Sequence, residues 1–225
     1  MKRLKNKATV TAAITLGGLL ATGANGAVLT FDITGIGNFD NIDQSYGDNV
    51  TATTMGSFSY GSAEGFTPNV VVEYGDSDPS LWTTGYGNLT NVLFENLDGS
   101  GVLTVDFSAD PGFEVLIHEF DLVGYDSAFG TPPTIDLVDV SDASNSLFSL
   151  ANAVISDTTS TNFSFSPALQ APQLTITIDA RNLGNLNDDI AIDNIVFSQV
   201  AIPEPSSALL IGISVMGFML RRSRR

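Results

Sequence analysis

An antiparallel β-sandwich, jelly-roll-like, is the fold class that this 225-residue sequence predicts. Three observations lead to it. Roughly ten short runs rich in β-branched and aromatic residues recur at intervals of about 10–20 residues. Two of them, LTVDF at 103–107 and LTITID at 174–179, alternate apolar and polar side chains, as strands do with one face buried. No long stretch carries the helical period.

The runs follow in order. VLTFDIT at 28–34 opens the series, and the Thr-rich VTATTMGSFSY at 50–60 and the aliphatic NVVVEYG at 69–75 follow. NVLFENL at 91–97 and GVLTVDFS at 101–108 flank Leu97-Asp98-Gly99-Ser100-Gly101, a composition suited to a hairpin turn. FEVLIHEFDLVGY at 113–125 is the longest run. TIDLVDV at 134–140, NSLFSL at 145–150, FSFS at 163–166 and QLTITIDA at 173–180 come next, and DIAIDNIVFSQV at 189–200 closes the series. Neither an internal repeat nor a second-domain boundary interrupts it, and a domain of this size buries about 70% of the surface of its unfolded chain. The predicted organisation is residues 1–27, a body at 28–201, and residues 202–225.

Charge divides the chain in the same way. Lys2, Arg3, Lys5 and Lys7 stand at the start, and Arg221, Arg222, Arg224 and Arg225 at the end. Between them Arg181 is the single basic side chain set against all 25 acids. Such a body repels phosphate backbones, which excludes nucleic acid as a partner, and it attracts cations. The sequence has no cysteine, hence no disulfide and no thiol chemistry.

The basic start is followed by an uncharged, mostly apolar stretch at 8–24 and then by small residues, the three parts of a secretory signal peptide. Cleavage is expected after Gly26 or Ala27, by a signal peptidase, so the protein is exported. At the other end come Pro203-Glu204-Pro205, the uncharged run ALLIGISVMGFML at 208–220, and the basic tail at 221–225. A helix of 13 residues spans about 20 Å, short for a membrane crossing, which usually takes about 20 residues. Flanking Ser206 and Ser207 can extend it, and the arginines stop it on the cytoplasmic side. The two prolines withhold backbone hydrogen bonds and leave an extended tripeptide open to a processing enzyme.

Pro203-Glu204-Pro205, the short apolar helix and the arginine cluster together resemble the PEP-CTERM sorting signal. That resemblance implies recognition by an exosortase-type membrane transpeptidase and removal of the tail near the Pro-Glu-Pro motif. It also implies delivery to the cell surface or extracellular polysaccharide matrix of a Gram-negative bacterium. It concerns the destination of the protein and not the work of its body.

In the last run, Ile190, Ile192 and Asn194 are expected on one face and Ala191, Asp193 and Ile195 on the other. The run resembles the closing strand of extracellular jelly rolls, MAM-like and carbohydrate-binding modules among them. Asp193, flanked by apolar neighbours, needs backbone N–H groups or a cation. Sandwiches of that kind often hold a structural calcium between first and last strands. Asp32, Asp188, Asp189 and Asp193 are the oxygen ligands offered here, and exposed or backbone-bonded aspartates are the other reading.

Glu119-Phe120-Asp121 resembles part of the Glu-x-Asp-x-x-Glu set of a sandwich glycoside hydrolase family, but Gly124 stands where the third acid belongs. His118 is the only histidine and has no Gly-x-Ser-x-Gly elbow to serve; between Leu116 and Phe120 it reads as a partly buried, satisfied side chain. No catalytic set is complete. The binding candidate is the segment 73–88, which holds the sole tryptophan, Trp82, with Tyr74 and Tyr86. Sugars stack C–H faces on such rings while acids and amides such as Asp76, Asp78 and Asn88 take hydroxyls. The expected protein is a non-enzymatic surface or matrix protein binding polysaccharide and calcium. Two alternatives stand beside it: a secreted polysaccharide-active enzyme, and a surface protein permanently anchored by its tail.

Overall fold

Strands with apolar residues at every second position have one face to bury, and two sheets meet that need by packing on each other. The computed structural model describes residues 26–60, 66–75, 79–95, 100–126 and 128–202. Their strands are β1 (Ala27–Leu29), β2 (Thr54–Met55), β3 (Phe58–Ser59), β4 (Val70–Tyr74), β5 (Pro79–Trp82), β6 (Val92–Glu95) and β7 (Val102–Ala109). They continue with β8 (Phe113–Gly124), β9 (Thr134–Ser141), β10 (Ser146–Val154), β11 (Thr161–Ala171), β12 (Gln173–Asp179) and β13 (Ile190–Ala201). One sheet runs β11-β8-β13-β6-β5, with β1 also paired to β13; the other runs β10-β9-β12-β7-β4. All pairings are antiparallel, and from β6 to β9 the chain passes to the opposite sheet at every step. The predicted all-β sandwich is what the chain forms.

The main core lies between the sheets. Val105 and Phe107 of β7 meet Ile117 and Leu122 of β8, Ile176 and Ile178 of β12, and Ile192 and Phe197 of β13. The Phe107 and Phe197 rings, one from each sheet, sit 5.0 Å apart. Truncating a ring in such a core costs about 3–5 kcal/mol.

Four expectations change. The run at 50–60 is not one strand: Gly56, at φ 62, turns it into the two-residue hairpin β2–β3. At the start, regular pairing stops after Leu29 because Phe31 takes a left-handed backbone, φ 53. β1 also begins at Ala27, one residue before the expected start of the body. A strand absent from the expectation, β5, forms at the edge against β6.

The fourth change concerns β13. Asn194 is an extra residue opposite β8, with φ 51, and this bulge reverses the alternation after it. Ile195 therefore joins Ile190 and Ile192 in the main core, while Ala191 remains on the outer face. An extra residue in β8, His118, then restores the register.

Among the described residues no helix is long and apolar enough to cross a membrane. Residues 1–25 of the expected signal peptide, positions 97–99 of the expected turn at 97–101, the Pro203-Glu204-Pro205 motif, the apolar run at 208–220 and the terminal arginines lie outside the described residues.

Candidate functional site

The sheet that carries β13 has apolar residues on both faces. Leu93, Leu122 and Ile192 point into the main core, whereas their strand neighbours Phe94, Val123 and Ala191 support a second apolar cluster on the outer face. Tyr86, Leu89 and Val92 complete that cluster, and half-buried Trp82 and Tyr125 pack against it.

Four connecting segments close over these residues and are tied by backbone hydrogen bonds to one another or to β5. Residues 39–40 run beside β5, Phe39 N donating to Leu81 O at 3.0 Å and Leu81 N to Asp40 O at 3.0 Å. Asp126 N donates to Gly85 O and Tyr125 N to Asp189 O, each at 2.9 Å. Gly85, at φ +90, has no room for a side chain, since a Cβ there would stand 2.5 Å from the Tyr125 ring. Asn38 Oδ1 accepts from the backbone N–H and the hydroxyl of Thr83, at 2.7 and 2.6 Å, and pins the first loop to the end of β5.

The product is a box of rings. Trp82 meets Phe39, Phe94 and Tyr125 edge to face, at 4.6, 5.7 and 5.7 Å between centroids. Tyr86 lies 5.2 Å from Tyr125 and 6.5 Å from Phe94. Together with Asp188 and Asp189 these five rings line a cavity of about 110 Å³. Phe39 is 50% exposed and forms the outer wall, whereas Tyr86 is 2% exposed and forms the floor. The Tyr86 hydroxyl donates to the backbone oxygen of Asp188 at 3.3 Å. Burial, with Asp188 alongside, pushes the Asp189 carboxyl up to about 6. The indole N–H of Trp82 is buried with no acceptor among the described residues, which leaves a hydrogen-bond donor to be satisfied.

The structure sorts the residues named from sequence. Trp82 and Tyr86 do converge. Tyr74 does not join them: β4 alternates, and Tyr74 points with Val70 and Val72 into the main core. Its hydroxyl donates to Tyr46 O at 2.8 Å, so the ring is a core member and not a sugar platform. Asn88 accepts from Ser160 N, and Asp76 and Asp78 lie outside the described residues. Phe39, Phe94 and Tyr125 were missed, because a loop, a strand and a strand end far apart in sequence meet only in the fold. The one signal for them was their aromatic character.

The four acids offered for calcium separate. Asp188 and Asp189 face the ring box, while Asp193 lies near Asp32 and Asp121. Asp193 is 4% exposed, and one carboxylate oxygen accepts the Asn194 N–H at 2.6 Å, in line with the backbone-bonded reading. Burial above all, and then Asp32 and Asp121, push its carboxyl up to about 8. Asn91 and Asn194 donate to Asp32 and Asp121, at 2.6 and 3.1 Å. Among the described residues no group of three or more His, Cys, Asp or Glu side chains is placed to hold a metal ion.

His118 Nε2 lies 2.7 Å from Ser198 Oγ, a buried hydroxyl; burial holds the imidazole below its ordinary pKa, and the histidine is satisfied and half-buried as expected. Asp121 of the Glu119-Phe120-Asp121 trio is occupied by the amides of Asn162 and Asn194, and Phe120 is core. A larger depression of about 220 Å³ on the other sheet, beside Glu73, Asp106 and Gln173, has only one ring, Phe107, which belongs to the core.

Comparison with known proteins adds one specific finding and one slight one. No curated protein matches the chain. Among solved structures, the family 32 CBM from C. perfringens NanJ in complex with galactose aligns at 10% identity. The alignment covers 58% of this chain and 93% of that one, with a TM-score of 0.32, a likeness too slight to bear on the ligand. The family model of the PEP-CTERM protein-sorting motif matches residues 201–225. Such a motif marks export, exosortase processing and sorting at the membrane to the cell surface. The chain therefore carries a PEP-CTERM protein-sorting motif at its C-terminal end, next to the last strand of its sandwich.

Proposed function

We propose that this is a non-enzymatic surface or matrix protein whose sandwich binds a saccharide, as part of an extracellular polysaccharide, in the ring box on its outer sheet face. The observation that carries this reading is the convergence of Phe39, Trp82, Tyr86, Phe94 and Tyr125 with two carboxylates around one cavity. Rings supply apolar faces for sugar C–H groups, and Asp188, Asp189 and the free indole N–H supply acceptors and a donor for hydroxyls. In this reading a signal peptidase cuts after Gly26, ahead of buried Ala27 of β1, and residues 202–225 hold the body at the membrane until an exosortase cuts near Pro203-Glu204-Pro205.

Trp82 is the only tryptophan, so its fluorescence reports on the site alone. The full chain in detergent is titrated with exopolysaccharide from the producing cells. A saturable change in emission, weakened by Phe39→Ala, supports the reading. Emission and co-sedimentation both indifferent to the polysaccharide defeat it. Intact masses of the membrane and matrix forms test the processing: a matrix species lacking both ends is expected, and a single species ending at Arg225 in both fractions contradicts it.

A further inference from the structure

Five rings and two adjacent carboxylates form a cavity with an unbalanced charge. Among the described residues no side chain donates to the carboxylate of Asp188 or Asp189. The tyrosine nearest them spends its hydroxyl on a backbone oxygen. The described body has almost nothing else to offer. Its one arginine, Arg181, pairs with Asp179 through Nε at 2.9 Å and Nη2 at 2.5 Å, and its one histidine pairs with Ser198. Among the described residues, therefore, no side chain supplies a positive charge to this site.

We propose that the saccharide bound here carries a protonated amine, a hexosamine unit, whose ammonium sits between the Asp188 and Asp189 carboxylates and the surrounding rings. The inference rests on the saccharide reading above and names its class. Two features of the cavity act on an ammonium in the same direction. Carboxylates that have no protein donor gain a charge-assisted partner. Aromatic faces attract a cation by about 0.5–2 kcal/mol, more as water is excluded. A positive charge entering the cavity offsets the burial and the repulsion from Asp188 that hold the Asp189 carboxyl up. A uronic acid brings a third carboxylate beside the two and is rejected. N-acetylation removes the charge while leaving the sugar ring, and so separates ring stacking from ammonium recognition.

The test uses the full chain in detergent at neutral pH, with Trp82 emission as readout and glucosamine, N-acetylglucosamine, glucose and glucuronate as ligands. Glucosamine is expected to bind at least about ten-fold tighter than N-acetylglucosamine or glucose, with glucuronate weakest. The double variant Asp188→Asn, Asp189→Asn is expected to lose the preference, so that glucosamine binds it no tighter than glucose does. Equal affinities for glucosamine, N-acetylglucosamine and glucose overturn the inference and leave the saccharide reading in place. Failure of all four sugars and of the polysaccharide overturns both. A preference that survives in the double variant overturns the assignment to these two acids. If that variant does not fold, the comparison of amine with acetylated amine on the unaltered chain still decides.

Discussion

Two of the aromatic clusters in this molecule contain tyrosine or tryptophan, and they differ in how their polar atoms are treated. The inner one joins Phe31, Tyr46, Tyr60 and Tyr74 at one end of the main core. Every hydroxyl in it has a backbone partner. Tyr46 accepts from Phe31 N at 2.9 Å and donates to Ser59 O at 3.0 Å, Tyr60 accepts from Gly47 N at 3.2 Å, and Tyr74 donates to Tyr46 O. Burial pushes all three phenols above their ordinary pKa. The outer cluster has the same chemistry and a similar number of rings, yet among the described residues it leaves an indole N–H and two carboxylates without side-chain partners, and it lines an open cavity. Rings that tie up their own polar atoms build the fold, and rings that leave polar groups unspent around a space are equipped to bind.

The largest effect that separates the two comes from Tyr46→Ala. It empties a buried site and orphans the Phe31 and Thr30 N–H groups, at a cost of about 3–5 kcal/mol and a fall in Tm on the order of 10 °C by calorimetry. Saccharide affinity of the folded fraction is expected to be unchanged. A matching loss of affinity would mean that the clusters act as one unit.

Next comes the pH dependence at Asp193, a buried carboxyl that belongs to neither cluster. Its folded pKa is raised, so its contribution to stability is fully present below about pH 4 and is lost as pH rises toward 8. The slope due to this group reaches at most about 1.4 kcal/mol per pH unit. Asp193→Asn is expected to flatten the difference between urea melts at pH 4 and pH 8, and calcium at neutral pH to leave the Tm of the unaltered protein where it is. A calcium-dependent rise would show that the carboxyl ionises onto a cation after all.

Phe39→Ala sharpens the contrast from the binding side. The ring is half exposed, so stability is expected to change by no more than about 1 kcal/mol, while saccharide affinity falls about ten-fold. An unchanged affinity would move the site away from this wall. The smallest effect is expected from Glu119→Gln: no change in Tm beyond about 0.5 kcal/mol, no change in binding, and no reducing-sugar release before or after. Release that disappears in the variant would make the protein an enzyme.

Much of this was legible in the residues, for physical reasons. Two-residue alternation in 103–107 and 174–179 can only bury one face of a strand, so a two-sheet sandwich followed from sequence. Three ordered parts at 203–225 were enough to indicate the sorting signal, because a linear motif needs no fold to be read, and the family model matches there. Trp82 and Tyr86, near each other along the chain, could be nominated together.

What only the tertiary structure decided involves long-range contact or a change of phase. Asn194 adds one residue to β13 and thereby sends Ile195 to the core, a reversal that alternation alone places on the wrong face. Tyr74 satisfies every sequence criterion for a sugar platform, yet the outcome rests on a carbonyl at Tyr46, 28 residues away. Phe39, Phe94, Tyr125 and the Asp188–Asp189 pair come from separate loops and strands, and no pattern links them until antiparallel pairing brings their ends to one face. Local chemistry determined the strands and the address; the choice of which rings became wall and which became core was made by the packing of the sheets.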